Sequence, residues 1–187
     1  AIELGDHFGW PWYYWGGYMD RRVEPANPEL QQYAKRPDYA LGPHVAALGL
    51  AFGGDDVKLG GSFARGAFVG EHGSWNRKPP SGYDVVFVDF DDRGNPVGKP
   101  KPVLTGFLTA DGKTHGRPTW VTWGPDGSLL VSDDTAGIIW RVRSPSAAPA
   151  PAIARLAGKS LPPSELTDPR AAFEEDYLRE QAGQKVN

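Results

Sequence analysis

Cysteine is absent from the 187 residues, and methionine occurs once. Without a thiol there is no disulfide framework, no thiolate zinc site and no cysteine nucleophile. The redox compartment stays open, because a cysteine-free chain suits reducing and oxidising surroundings alike. Long apolar runs are lacking too. The longest uncharged stretch, residues 39–54, has 16 residues and carries Pro43 and His44, too short and too interrupted for a bilayer span. An excess of positive charge is the third absence: 20 Lys and Arg stand against 23 Asp and Glu, with no basic run. The attraction that nucleic-acid binding requires is therefore missing, and no nucleic-acid partner is expected. The chain opens on Ala1-Ile2-Glu3-Leu4, with no initiator Met, basic n-region or apolar h-region, and reads as a processed or truncated product.

Glycine and proline are abundant instead, at 24 and 18 of 187 residues, about twice ordinary usage. Because 40% of the residues are hydrophobic and 12% aromatic, this is not low-complexity disorder but short strands joined by tight turns. Residues 1–40 read as a short strand, then an irregular aromatic segment from His7 to Tyr18, then a polar stretch punctuated by Pro25, Pro28 and Pro37. From Val45 onward, apolar runs of strand length follow at residues 45–52, 67–71, 85–90 and 102–105, and again at 119–123, 129–132 and 138–142. Asp91-Asp92-Arg93-Gly94, Pro125-Asp126-Gly127 and Asp133-Asp134-Thr135-Ala136-Gly137 supply hairpin chemistry between them.

The spacing predicts an all-β chain with a four-stranded meander followed by a three-stranded one. Four strands in 40 to 50 residues is the size of a propeller blade, and two blades cannot close a ring of four to eight. The reading is a fragment of a larger β-propeller, with a seven-stranded sandwich as the competing fold. Residues 1–143 form the propeller part. Residues 144–187 form a Pro/Ala-rich linker and one terminal helix over about 170–181, entered by Asp168-Pro169 as cap and first helical residue.

Candidate chemistry is sparse. His7, His44, His72 and His115 have no second ligand at metal spacing, so no metal site is expected from this chain alone. Ser74 and Ser81 lack a nucleophile-elbow frame. The pairs Asp55-Asp56, Asp91-Asp92 and Asp133-Asp134 fall in turns and read as structural. The loop Glu71-His72-Gly73-Ser74-Trp75-Asn76-Arg77 has binding composition, with a guanidinium for carboxylates and an indole face for a ring system. Its alternative is a solvated turn in which Trp75 caps the core and Arg77 pairs with Glu71. Arg117, just ahead of a strand, is either an anion ligand or an edge charge.

Taken in order, Phe8-Gly9-Trp10-Pro11, Asp38-Tyr39-Ala40-Leu41-Gly42-Pro43-His44, Gly70-Glu71-His72-Gly73-Ser74-Trp75-Asn76-Arg77, Ser81-Gly82-Tyr83, Gly116-Arg117-Pro118, Pro125-Asp126-Gly127 and Ser132-Asp133-Asp134 resemble the C-terminal part of the PQQ-dependent sugar dehydrogenases. The nearest branch is the L-sorbosone dehydrogenases of the glucose/sorbosone dehydrogenase family, and the resemblance runs over about residues 2–143. It implies a six-bladed propeller, of which this chain holds about the last two blades, and it favours that fold over the sandwich. It further implies pyrroloquinoline quinone and calcium at the propeller axis, and oxidation of the C1 aldehyde or hemiacetal of an aldose or sorbosone. A histidine base and a hydride transfer to the quinone carry that reaction.

By the same resemblance Arg117 is a quinone-binding arginine, and the family's second arginine two residues on is Thr119 here. Tyr39 and His44 occupy pocket positions, and His72, Trp75 and Arg77 are the cofactor-binding residues of a loop that replaces a cofactor lysine. The catalytic base and the calcium ligands are expected upstream of Phe8-Gly9-Trp10-Pro11, so the chain alone is expected to be inactive. The expected partners are the N-terminal remainder of the propeller, a small sugar, and a cytochrome or membrane quinone as electron acceptor. The expected location is periplasmic or secreted.

Overall fold

A computed structural model describes residues 2–54 and 58–146, which all belong to the first of two units, Ala1–Pro149 and Ala150–Asn187. The terminal helix and the Asp55-Asp56 pair lie outside the described residues.

Alternation of apolar side chains with turn residues produces two antiparallel meanders. In the first, Ala47–Phe52 (β3), Gly66–Glu71 (β4), Asp84–Phe90 (β5) and Pro96–Leu104 (β6) lie side by side in chain order. In the second, Pro118–Trp123 (β7), Leu129–Asp133 (β8) and Ile138–Val142 (β9) do the same. Ahead of them stands a two-residue hairpin, Tyr13–Tyr14 (β1) with Tyr18–Met19 (β2). The strand expected at the N-terminus is not formed: residues 2–4 carry no ladder, and His7 makes only an isolated bridge to Ala34. A 3-10 turn over Pro28–Tyr33 follows, capped by the Asn27 side chain accepting from the Leu30 N–H, with Pro28 where a missing N–H costs nothing.

The predicted turns close the hairpins. Gly94 donates to the Asp91 carbonyl, Gly127 to Gly124 and Gly137 to Asp133, at 2.9 to 3.0 Å. β6 begins at Pro96, six residues before the sequence reading started it. Pro96, Pro100 and Pro102 argue against a central strand, but β6 is the edge of its sheet, where prolines withhold no needed donor.

The core lies between the two sheets. Phe68 on β4 and Val85 and Phe87 on β5 face Val121 on β7 with Leu129 and Val131 on β8, all fully buried. Phe68 packs against Phe87 with ring centroids 4.6 Å apart and meets Trp123 edge-on at 5.2 Å. Gly49 permits this approach: a Cβ there would sit 2.5 Å from the Val121 nitrogen, so the backbones of β3 and β7 touch without side chains between them. The opposite faces are covered only in part: Val69, Val86 and Val88 are buried on the outer side of the first sheet. Leu48, Leu50 and Phe52 are exposed on the outer side of β3, as are Trp120 and Ile139 on the outer side of the second sheet.

Candidate functional site

At one end of the two sheets, the loop after β4, the residue before β7 and the turn after β8 converge. β4 ends at Glu71, and His72 continues its pairing by donating its N–H to the Ala46 carbonyl at 2.9 Å. Gly73 donates to the Val45 carbonyl at 2.8 Å. Gly73 lies at φ +91°, and a Cβ there would fall 2.3 Å from the Tyr83 ring, so only glycine lets the ring close over this loop. The Tyr83 hydroxyl donates to the Ser74 carbonyl, and Ser74 Oγ accepts from the Ser81 N–H at 3.1 Å. These contacts make a tied loop rather than a solvated turn.

Arg117 enters from the neighbouring sheet. Its Nε donates to the His72 carbonyl at 2.9 Å and its Nη2 to the Gly73 carbonyl at 2.6 Å, with the guanidinium carbon 5.2 Å from the centre of the Tyr83 ring. Its backbone is fixed by Asp133, which is buried at the end of β8. Asp133 Oδ1 accepts from Arg117 N at 2.9 Å, from Ala136 N at 2.9 Å and from Thr135 N at 3.2 Å, while Oδ2 accepts from Trp140 Nε1 at 3.1 Å. Burial raises the Asp133 pKa, but these donors outweigh it and hold the carboxyl below its ordinary range.

His72 is held from the other side. Its Nε2 lies 3.0 and 3.1 Å from the two oxygens of Asp134, the next residue in the same turn. The hydrogen bond from His72 keeps Asp134 below the ordinary carboxylate range. An ionised carboxylate only accepts, so the shared proton sits on Nε2. Beneath the loop, Glu71 faces Asp84 directly across the β4–β5 ladder. Burial first, and the Asp84 charge second, push Glu71 up to about 8, and burial raises Asp84 as well. Asp84 Oδ1 has no N–H donor among the described residues, so the proton of a neutral Glu71 is the donor at hand for the Asp84 carboxyl.

The candidate residues named from the sequence separate into groups. His72 and Arg117 come together. His44, at φ +61°, is exposed but belongs to the same end, since its neighbours Pro43 and Val45 accept from Ser81 Oγ and Gly73 N. Trp75 and Arg77 continue the loop into solvent, and Trp75 is 87% exposed. The alternative in which Trp75 caps the core and Arg77 pairs with Glu71 is overturned, because Trp75 is solvated and the buried Glu71 faces Asp84. Tyr39 stands apart: its hydroxyl donates to the Gly98 carbonyl of β6 at 3.0 Å. It lines a cleft of about 620 Å³ with Leu50, Val69 and Val88 on the outer face of the first sheet. That cleft is apolar at its floor, with Asp38, Arg93 and Asn95 also lining it, and holds none of the His72, Asp134 and Arg117 cluster.

Tyr83, Asp84 and Asp134 are the residues that sequence reasoning passed over as functional. Tyr83 and Asp134 lie in motif strings already singled out, but an Asp in a turn is explained by backbone needs alone, and nothing local shows that Asp134 faces a histidine 62 residues away. Thr119, standing where a second arginine is expected, spends its hydroxyl on Ser132 at 2.6 Å. No group of three or more His, Asp or Glu side chains able to hold a metal ion occurs among the described residues. No helix among them is long and apolar enough to cross a membrane.

The TrAA12-like family model matches residues 19–145, more than half of the chain. The chain belongs to the TrAA12-like family. The chain is 33% identical over 142 residues to an uncharacterized protein of Borreliella burgdorferi, covering 75% of this chain and 36% of that one. It is also 33% identical over 128 residues to a pyrroloquinoline quinone-dependent pyranose dehydrogenase of Coprinopsis cinerea, covering 59% of this chain and 16% of that enzyme. Among solved structures, the calcium structure of the Trichoderma reesei carbohydrate-active enzyme of family AA12 superposes with a TM-score of 0.55 at 20% identity, over 73% of this chain and 38% of that one. The chain therefore spans well under half the length of these relatives. The similarity to a pyrroloquinoline quinone-dependent pyranose dehydrogenase agrees with the motif resemblance at a coarse level, while the matching family is the TrAA12-like one.

Proposed function

We propose that this chain is part of a pyrroloquinoline quinone-dependent sugar dehydrogenase, in which it supplies about the last two blades of a six-bladed propeller and one wall of the cofactor pocket. The substrate class is an aldose or sorbosone oxidised at its C1 aldehyde or hemiacetal. The observation that carries the reading is the anchoring of Arg117, from the neighbouring sheet, on the His72 and Gly73 carbonyls of the tied loop, in a chain related to a quinone-dependent pyranose dehydrogenase.

The residues present fit an anionic planar ligand in part. Arg117 has Nη1 unengaged and its other donors spent on holding the loop, so its geometry is set before a carboxylate arrives. His72 brings a second ring nitrogen, an acceptor while Nε2 holds the proton, and Trp75 offers an exposed ring face. Calcium does not fit the described residues, so its ligands belong to the rest of the protein, as does the histidine base. When bound, the quinone accepts the hydride removed from C1. This chain's own contribution is to bind and orient: Arg117 neutralises a carboxylate, the Tyr83 ring backs the guanidinium, and Asp133 fixes where Arg117 leaves the backbone.

The partly uncovered faces support the ring. Leu50 and Phe52 on one side and Trp120 and Ile139 on the other are the faces that neighbouring blades would bury, with the upstream remainder of the same protein as the occupant. A cytochrome or membrane quinone as final acceptor and a periplasmic or secreted location belong to the same proposal. Thr119 favours one other reading, a propeller module that binds sugar or protein without a cofactor, since its hydroxyl is committed to Ser132 and brings no charge. The full-length protein, incubated with the quinone and calcium, is expected to reduce an artificial acceptor when given an aldose or sorbosone. Absence of turnover with every such sugar, and of bound quinone, would favour the module.

A further inference from the structure

His72 is pinned at three points, its N–H by Ala46, its carbonyl by Arg117 and its ring by Asp134, the last from a different sheet. A ring restrained in this way is oriented, and the carboxylate on Nε2 decides which nitrogen carries the proton. Among the described residues, neither His72 Nδ1 nor Arg117 Nη1 makes a hydrogen bond. Asp134 is 57% exposed at its side chain, and its hydrogen bonds go to this ring and from Thr135. A turn aspartate needs no histidine to serve its turn, and Asp133 already accepts the backbone donors here.

We propose that Asp134 is a positioning residue, which holds the His72 ring with its proton on Nε2, so that Nδ1 is left as an acceptor for the anionic aromatic ligand while the free Nη1 of Arg117 serves one of its carboxylates. This inference rests on the cofactor reading above for the identity of the ligand, and on the His72–Asp134 geometry for the positioning. Asp134 itself does not touch the ligand. Its effect on the ring is carried by His72, which makes the two residues thermodynamically coupled, and its charge also acts on Arg117.

The test uses the full-length protein and four forms: wild type, D134N, H72Q and the double variant, with D134E as the conservative rescue. Two readouts are taken, pyrroloquinoline quinone affinity by absorbance titration and the 15N shifts of the His72 ring nitrogens in ligand-free protein, assigned by their loss in H72Q. The expected result is an Nε2-protonated ring in wild type and a changed nitrogen pattern in D134N. With it comes quinone affinity lowered about tenfold, partly restored in D134E, and a smaller loss when D134N is added to H72Q. An unchanged ring pattern in D134N, or equal losses from D134N in both backgrounds, would overturn the positioning role. If wild type binds no quinone while D134N still alters the ring, the cofactor reading fails and the positioning of His72 stands. A thermal melt of each form separates these outcomes from simple unfolding.

Discussion

Glu71 and Asp84 are acids placed opposite each other on two adjacent strands, one fully buried and the other half-buried, and the cost is met by keeping a proton between them. The sign of the resulting pH dependence follows from proton counting. Between the unfolded pKa of about 4.5 and the folded value of about 8, the native state holds a proton that the unfolded chain has released, so stability falls as pH rises through that window. Asp133 and Asp126 are shifted downward and act only below about 3.8, outside it. Glutamine at position 71 keeps a neutral donor for Asp84 and removes the titration. Urea midpoints are therefore expected to decline from pH 5 to pH 8 in wild type, by up to about 1.4 kcal/mol per pH unit, and to decline less steeply in E71Q, where Asp84 remains raised by burial. Parallel declines in both proteins would show that the pair is not the source.

At the scale of elements, the turn between β8 and β9 both closes a hairpin and aims a functional side chain on another strand. Asp133 does this with four accepted hydrogen bonds, one of them from the Arg117 N–H across the sheet. Asp133→Ala leaves those donors unpaired in a buried place and is expected to cost about 2–4 kcal/mol, read as a lower urea midpoint with unchanged slope. A loss below 1 kcal/mol would mean that water replaces the carboxylate. The seven long strands and their turns were legible in the sequence because local chemistry decides them: Asp and Gly set the hairpins, and apolar runs set the ladders. The β1–β2 hairpin was not, since two-residue strands leave no periodicity, and the start of β6 was hidden by prolines that an edge strand tolerates. Of the candidate site, the loop beginning at His72 and Arg117 were legible by composition and motif. Asp134 was not, because its partner is set by the packing of one sheet on the other, and Tyr39 was grouped with residues from which the fold separates it.

On the scale of the whole molecule, the two meanders share one core yet leave apolar side chains on both outer faces, and the chain covers only 36% and 16% of its curated relatives. Both facts agree with a chain that is one sector of a larger protein. The glycine and proline excess is accounted for by that architecture: turns between short strands, a close approach at Gly49, and a tied loop at Gly73. The proposed site at the end of the sheets combines a cation with an oriented imidazole, and no group of side chains able to hold a metal ion occurs among the described residues. The most direct measurement is quinone binding by the full-length protein, titrated by absorbance with calcium present, in wild type and in Arg117→Met. The account predicts stoichiometric quinone in wild type and affinity lower by about 30-fold or more in the variant, in line with a lost charge-assisted pair. Wild type without quinone, or a variant that binds it equally well, would contradict it.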